Sequence, residues 1–157
     1  MNTLEYHIRK AKDTDVSQII ALVKQILTEF GFSYDGTTSE KDLEHFKDEY
    51  LKEKGTFLVI TGPNEEIVGT IALKSMDSKT IKIRKMYVAK SYQGIGFGKV
   101  LLLEALVEAK KRKAKVLILE TSKKMTIALR LYRKFGFRIT YKKPESPRCD
   151  IVMRKIL

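Results

Sequence analysis

With a single cysteine, Cys149, the chain has no internal disulfide to form, and its two histidines, His7 and His45, are too far apart to join it in a metal-ligand cluster. Neither a disulfide framework nor a metal site is expected. No apolar run approaches the length of a membrane span, and the N-terminal MNTLEYHIRKAKDTD lacks the apolar core of a signal segment. A cytoplasmic chain with no membrane partner is the expectation. Repeats, low-complexity tracts and linkers are also missing, so residues 1–157 read as one domain, and 43% hydrophobic residues suffice to fill its core. Acidic residues are scarce in the second half: residues 79–157 carry a net +17 and residues 1–78 a net −5, making +12 in all. Such asymmetry points to a polyanionic partner, either nucleic acid or a phosphate-bearing small molecule, without choosing between them.

What is present centres on Lys82 to Ala109, a strand, a glycine-rich turn and a strongly apolar helix. Apolar residues at Ile81 and Ile83 are followed by Met86 and Val88, so the period of two changes parity between Arg84 and Met86, as a β-bulge would make it do. A bulge bends its strand and frees backbone N–H and C=O groups. Gly94, Gly96 and Gly98 then alternate directly before the helix. Glycines allow tight turns and close approach, and the first helical amides point outward unpaired at the positive end of the helix dipole. That combination is an anion site, best suited to phosphate. It is not a Walker A loop, because Gln93 occupies the place of the first glycine and Val100 that of the Ser/Thr. A dinucleotide-binding turn fits poorly, since the spacing is G-x-G-x-G and five residues separate Val88 from Gly94, although Glu120 imitates the ribose-binding acid.

Gln93-Gly94-Ile95-Gly96-Phe97-Gly98 does have the spacing Q/R-x-x-G-x-G/A, and so resembles the acyl-CoA pyrophosphate motif of the GNAT superfamily of N-acetyltransferases. Met86-Tyr87-Val88 before it and the run Ala128 to Phe137 (ALRLYRKFGF) after it extend the resemblance, which covers nearly the whole chain. It implies an α/β fold with a mixed, mostly antiparallel sheet, about four helices and a bulged strand before the pyrophosphate loop. The pantetheine arm of acetyl-CoA would lie between that strand and the next, its amides pairing with the backbone of Met86 and Val88. The amides of Gln93 to Lys99, with the Lys99 charge, would hold the pyrophosphate. Tyr132 matches the family tyrosine that protonates the departing thiolate. Two positions depart from the family pattern: Met125 stands where many relatives have Asn, and Lys82 stands near the place of a general-base Glu. Glu120 is the substitute base, with a structural pairing to a lysine as its alternative reading. The implied function is acetyl transfer from acetyl-CoA to a primary amine, on a small molecule or amino acid, by direct attack in a ternary complex. The alternatives are a silent acyl-CoA-binding regulator and a basic nucleic-acid-binding protein. Nucleic acid is disfavoured because no aromatics interleave with the basic cluster Lys110 to Lys115. A homodimer is compatible with the sequence.

The remaining elements follow from periodicity. Leu4 to Arg9 reads as a strand. Asp13 or Thr14 caps a helix with Val16, Ile19, Ile20, Val23, Ile26, Leu27 and Phe30 on one face, ended by Gly31. Ser39-x-x-Asp42 reads as a capping box for a second helix burying Leu43, Phe46, Tyr50 and Leu51. Thr56 to Thr61 and Ile67 to Ser75 form a hairpin about Gly62-Pro63-Asn64. The helix from Gly98 to about Lys113 is apolar around most of its circumference, so burial on more than one side is expected. Val116 to Leu119 reads as a strand covered on both faces and parallel to its predecessor. A short helix with Ile127, Ala128, Leu131 and Phe135 inward follows, then strands at about Phe137 to Lys142 and Cys149 to Ile156, joined by the Pro144 to Pro147 turn. Cys149 reads as a packing residue. Lys82 and Arg84, on one face of the bulged strand, either line the acceptor channel with positive charge and attract an acid group or merely solvate an exposed face.

Overall fold

The computed structural model describes residues 5–52 and 55–157. Seven strands form a single sheet in the order β1-β2-β3-β4-β5-β7-β6: β1 His7–Lys10, β2 Thr56–Thr61, β3 Ile67–Ser75, β4 Thr80–Val88, β5 Val116–Thr121, β6 Arg138–Ile139 and β7 Ile151–Ile156. Every neighbouring pair is antiparallel except β4–β5. That parallel pair needs a crossover, and the helix α3, Phe97–Lys111, supplies it. The other helices are α1 Val16–Glu29, α2 Lys41–Glu44 and α4 Thr126–Lys134, with 3-10 turns at Asp13–Asp15 and Lys90–Tyr92 and a π-helical turn at Lys47–Lys52.

Each face of the sheet carries its own core. Leu101, Leu102, Ala105 and Ala109 of α3, with Leu129 and Tyr132 of α4, pack on Leu58, Ile71, Ile81, Ile83, Leu117, Leu119 and Met153. On the opposite face Ile19, Val23, Ile26 and Leu27 of α1, together with Leu43, Phe46 and Tyr50, cover Phe57, Val59 and Ala72. This second layer reaches only the β2–β4 side. Burial along β5 therefore alternates, with Leu117, Leu119 and Thr121 buried and Val116, Ile118 and Glu120 half-buried, where the sequence predicts cover on both faces.

Other departures have equally local causes. No further layer packs outside α3 among the described residues, so Val100, Leu103 and Val107 remain exposed despite the apolar circumference. Leu129 and Tyr132 are the buried residues of α4, whereas Ile127 is 71% exposed. The Ser39-x-x-Asp42 capping box does not form: the Ser39 hydroxyl shares a hydrogen bond of 3.0 Å with that of Ser146, and Asp42 turns inward. The π-helical turn then changes the phase of the segment and leaves Leu51 exposed. The last two strands are shorter than expected, and β7 inserts between β5 and β6. The strand expected from Leu4 begins at His7; Leu4 itself lies outside the described residues.

The expected caps Asp13 and Thr14 lie within the 3-10 turn that leads into α1, and the Asp15 carboxylate, at the N-cap of α1, makes no cap bond to that helix but reaches back to the start of the turn. Asp15 accepts hydrogen bonds from the Lys12 amide at 2.7 Å and from both terminal nitrogens of Arg9 at 2.6 and 2.9 Å. The Arg9 hydrogen bond holds the Asp15 carboxyl below its ordinary value of 3.8. A carboxyl depressed by folding stabilises at pH values above its unfolded pKa, and that contribution fades as pH falls through the folded value. Asp15→Ala should accordingly cost about 1 to 2 kcal/mol at neutral pH. Urea denaturation should find the difference shrinking below pH 4.

Candidate functional site

The pairing of β4 with β5 stops at Ile83–Leu119, although both strands run on. The cause lies on the other edge of β4. Thr70 pairs with Tyr87 but Ala72 with Arg84, so Lys85 and Met86 together face Ile71, which is the bulge that the parity change predicts. Lys85 adopts a left-handed φ of 49° there, and its carbonyl accepts a 2.7 Å hydrogen bond from the Thr70 hydroxyl. Beyond the bulge the ladder to β3 resumes, with the Ala89 amide on the Val68 carbonyl at 2.8 Å. Alternation then turns the N–H and C=O of Met86 and Val88 away from β3, into the gap opposite β5. Gln93 closes part of that gap, its Nε2 donating to the Val88 carbonyl at 3.0 Å. A carbonyl has two lone pairs, so one stays available for a second donor.

A groove of about 300 Å³ opens on one side of the gap. Met86, Val88, Gln93, Gly94, Gly96, Phe97, Gly98 and Lys99 line it from one bank, Met125 to Ala128 and Tyr132 from the other. Gly94 and Gly96 take φ values of 82° and 97°, and a Cβ added at either would meet nothing within 4 Å. Both line the groove in a loop that only glycine adopts without strain. The first bond of α3 runs from the Val100 amide to the Gly96 carbonyl, leaving the amides of Phe97, Gly98 and Lys99 without helical partners. Gly98 serves packing instead, since a Cβ would approach Leu131 Cδ2 to 3.1 Å. Ile95 does not join the lining, and its side chain is exposed. Met125, at the family's Asn position, contributes its thioether and touches the Thr121 hydroxyl at 3.9 Å.

A second cavity, about 270 Å³, lies across the gap beneath a roof made by two distant loops. Ser39 meets Ser146, Arg148 pairs with Glu40 and donates to the Ser33 carbonyl at 3.0 Å, and Glu145 approaches Lys82 at 3.5 Å. A smaller cavity of about 70 Å³ joins the two. Met86, Met125 and Tyr132 belong to it and to the groove, Arg84, Lys85, Glu120 and Cys149 to it and to the second cavity, and Tyr87 touches all three.

Lys82 Nζ lies 2.8 Å from Glu120, and each side chain is only 11% exposed. Lys82 thus lines the cavity as part of a buried ion pair, neither a free cation nor a solvated residue. Burial pushes the Glu120 carboxyl up, but hydrogen bonds from Lys82 and from the amides of Ser146 and Glu145 outweigh it and hold it below the usual range. It is a persistent carboxylate and a weak base. Tyr132 is buried against Phe137, and its hydroxyl has no hydrogen-bond partner among the described residues. Burial raises its pKa, so the phenol stays protonated at any working pH. Burial likewise pushes the Cys149 thiol up, in keeping with a packing residue.

Lys85, Tyr87, Asp42 and Arg148 are site residues that the sequence left unassigned, and Arg84 was expected only beside Lys82, in the acceptor channel or on a solvated face. Lys85 was marked by the parity change, as the inserted residue of the bulge. Asp42 was hidden by a local pattern that also fits a helix cap, and Arg148 carries no local signal.

Comparison with known proteins agrees with the geometry. A family model described as "Acetyltransferase (GNAT) family" matches residues 21–137, about three-quarters of the chain. An uncharacterised N-acetyltransferase of Bacillus subtilis (strain 168), YvbK, is 36% identical over 92 residues, 59% of this chain and 58% of that relative, so the chain matches a little over half of the relative's length. An uncharacterised N-acetyltransferase of Schizosaccharomyces pombe is 23% identical over 90% of this chain and 88% of its own. Among solved structures, a GNAT-family acetyltransferase of Staphylococcus aureus Mu50 superposes with a TM-score of 0.91 at 24% identity, covering 97% of this chain and 99% of that one. The PaiA N-acetyltransferase of Thermoplasma acidophilum, solved in complex with coenzyme A, superposes with a TM-score of 0.71 at 23% identity over 98% and 99% of the two chains. At such identities these two likenesses concern the fold.

Proposed function

Because the chain belongs to the GNAT acetyltransferase family, we propose that it transfers an acetyl group from acetyl-CoA to a primary amine by direct attack within a ternary complex. One observation carries this reading: two cavities approach the β4–β5 gap, share Tyr87, and are joined by a smaller one that Tyr132 lines together with the groove. The groove is the donor side. Its open-faced glycines, the unpaired amides of Phe97 to Lys99 and the Lys99 charge suit a pyrophosphate, and coenzyme A in the PaiA relative of the same fold supports that choice. Pantetheine amides would pair with the outward backbone of Met86 and Val88 in the gap.

The other cavity takes the acceptor. As its nitrogen bonds to the acetyl carbon, the carbon–sulfur bond breaks and negative charge passes through the carbonyl oxygen to the sulfur. The amide of Met86 or Val88 stabilises the first charge, the Tyr132 hydroxyl gives its proton to the second, and the proton that the attacking nitrogen sheds as it becomes an amide passes to solvent, from which the tyrosine is reprotonated. Glu120, its charge already met by Lys82 and its pKa low, accepts a proton only weakly, so turnover depends on the fraction of acceptor already neutral. With acetyl-CoA as donor, a cytoplasmic setting fits the reaction.

Gly96→Val tests the donor side. A valine at φ 97° is strained and its side chain enters the groove, while no protein atom within 4 Å is disturbed. Acetyl-CoA affinity should fall at least tenfold by calorimetry, with the thermal transition retained. Unchanged affinity in the folded variant would put the donor elsewhere. Acetyl-CoA consumption across a panel of amines tests the reaction itself, and binding without turnover on any amine would favour a silent acyl-CoA-binding regulator.

A further inference from the structure

Four cations reach the acceptor cavity, and three buried carboxylates answer them. Lys82 is matched by Glu120 and Arg148 by the buried Glu40. Lys85, its side chain 5% exposed, lies 3.0 Å from Asp42 Oδ1 and donates to the Ser39 carbonyl at 2.9 Å. Asp42 also accepts the Tyr50 hydroxyl. Arg84 is left with a distant share of that same carboxylate at 3.6 Å and a long bond to the Ser39 carbonyl at 3.4 Å, both through one terminal nitrogen. Among the described residues its Nη1 and Nε have no partner. Glu145, the remaining carboxylate, is 78% exposed at the rim and faces Lys82. Glu145 balances the total from the rim, but inside the cavity Arg84 and Lys85 share a single carboxylate, and the weaker share falls to the more accessible of the two, Arg84 at 23% exposed.

We propose that Arg84 is a specificity-determining residue that grips an oxyanion on the acceptor, so that the preferred substrates are amines carrying a carboxylate or a phosphate a few bonds from the nitrogen. This rests on the acetyltransferase reading above. A guanidinium offers paired N–H donors at the spacing of two oxygens of such a group, which the Lys82 ammonium, already held by Glu120, does not. Arg84 lines both the acceptor cavity and the small cavity containing Tyr132, one residue before the bulge. An oxyanion held there leaves the other end of a short acceptor directed toward the Tyr132 junction.

Steady-state kinetics on matched acceptors tests this. β-Alanine against propylamine forms the carboxylate arm, and phosphoethanolamine against ethanolamine the phosphate arm. In the wild-type protein at least one oxyanion acceptor should exceed its neutral counterpart at least tenfold in kcat/KM, and the larger arm identifies the group. Arg84→Gln should raise KM for that acceptor at least tenfold with kcat within about twofold and the neutral amines little changed, while Arg84→Lys restores part of the loss. Calorimetric acetyl-CoA affinity certifies that each variant is folded, and the wild-type comparison stands alone if Arg84→Gln is not. Transfer to amines with no oxyanion preference, or equal losses for both acceptor classes in Arg84→Gln, would overturn this role of Arg84 and leave the acetyltransferase reading intact. Transfer to no amine at all would overturn both.

Discussion

Replacing Tyr132 by phenylalanine should lower turnover about a hundredfold or more while acetyl-CoA binds almost as before. The substitution removes one oxygen from a ring whose packing against Phe137 is otherwise kept, so the fold has little reason to change. Among the described residues the hydroxyl has no partner to leave stranded. What disappears is the proton donor to the departing sulfur, an interaction that exists only as the carbon–sulfur bond breaks and so appears in kcat rather than in affinity. A loss of a hundredfold corresponds to about 2.7 kcal/mol of barrier. Wild-type turnover in Tyr132→Phe would take the residue out of the mechanism.

Asp42→Ala should be the most destabilising change in the acceptor site, at about 3 to 5 kcal/mol near neutral pH. The alanine leaves the Lys85 ammonium buried without its counter-ion and the Tyr50 hydroxyl without its acceptor. Even with Asp42 present, burial pushes the Lys85 pKa down to about 8 from 10.5. Between those values the unfolded chain binds a proton that the folded protein lacks, so this residue makes stability rise with pH. In Asp42→Ala the folded value drops further, so below pH 8 the variant lacks a proton that the wild type still holds, and the deficit should shrink as the solution is raised toward pH 8. Denaturant titrations at two pH values decide it: a deficit that does not change with pH would mean Lys85 is not the group left stranded.

The glycine loop and the bulge beside the groove were legible because their physics is local. Alternating glycines before a helix, and a parity change within one strand, need no knowledge of distant residues, and the structure has both the positive-φ loop and the bulge. The acceptor side depends on pairs far apart in sequence. Asp42 reads as a cap from its neighbours, yet its partner Lys85 lies 43 positions on, and Ser39 meets Ser146 across a separation of 107. Glu120 was open between base and ion-pair partner, and only the register Lys82–Ile118 between parallel strands brings its carboxylate to the Lys82 ammonium. The apolar circumference of α3 misled for another reason: hydrophobicity reports what a helix can bury, whereas the number of layers stacked on it decides what it does bury.

The roof of the acceptor cavity also bears on time. Ser39–Ser146, Glu40–Arg148, the Ser33 carbonyl with Arg148, and Lys82–Glu145 lace residues 33–40 and Lys82 to the loop at 145–148. Glu40–Arg148 is a buried ion pair and the other ties are weaker, so a wide acceptor would have several to undo at once. On the proposed acetyltransferase reading, small amines would need few of these ties undone and bulky ones several. Discrimination by size then acts on the rate of entry, and lengthening the 145–148 loop should quicken bulky amines while leaving small ones at the same pace.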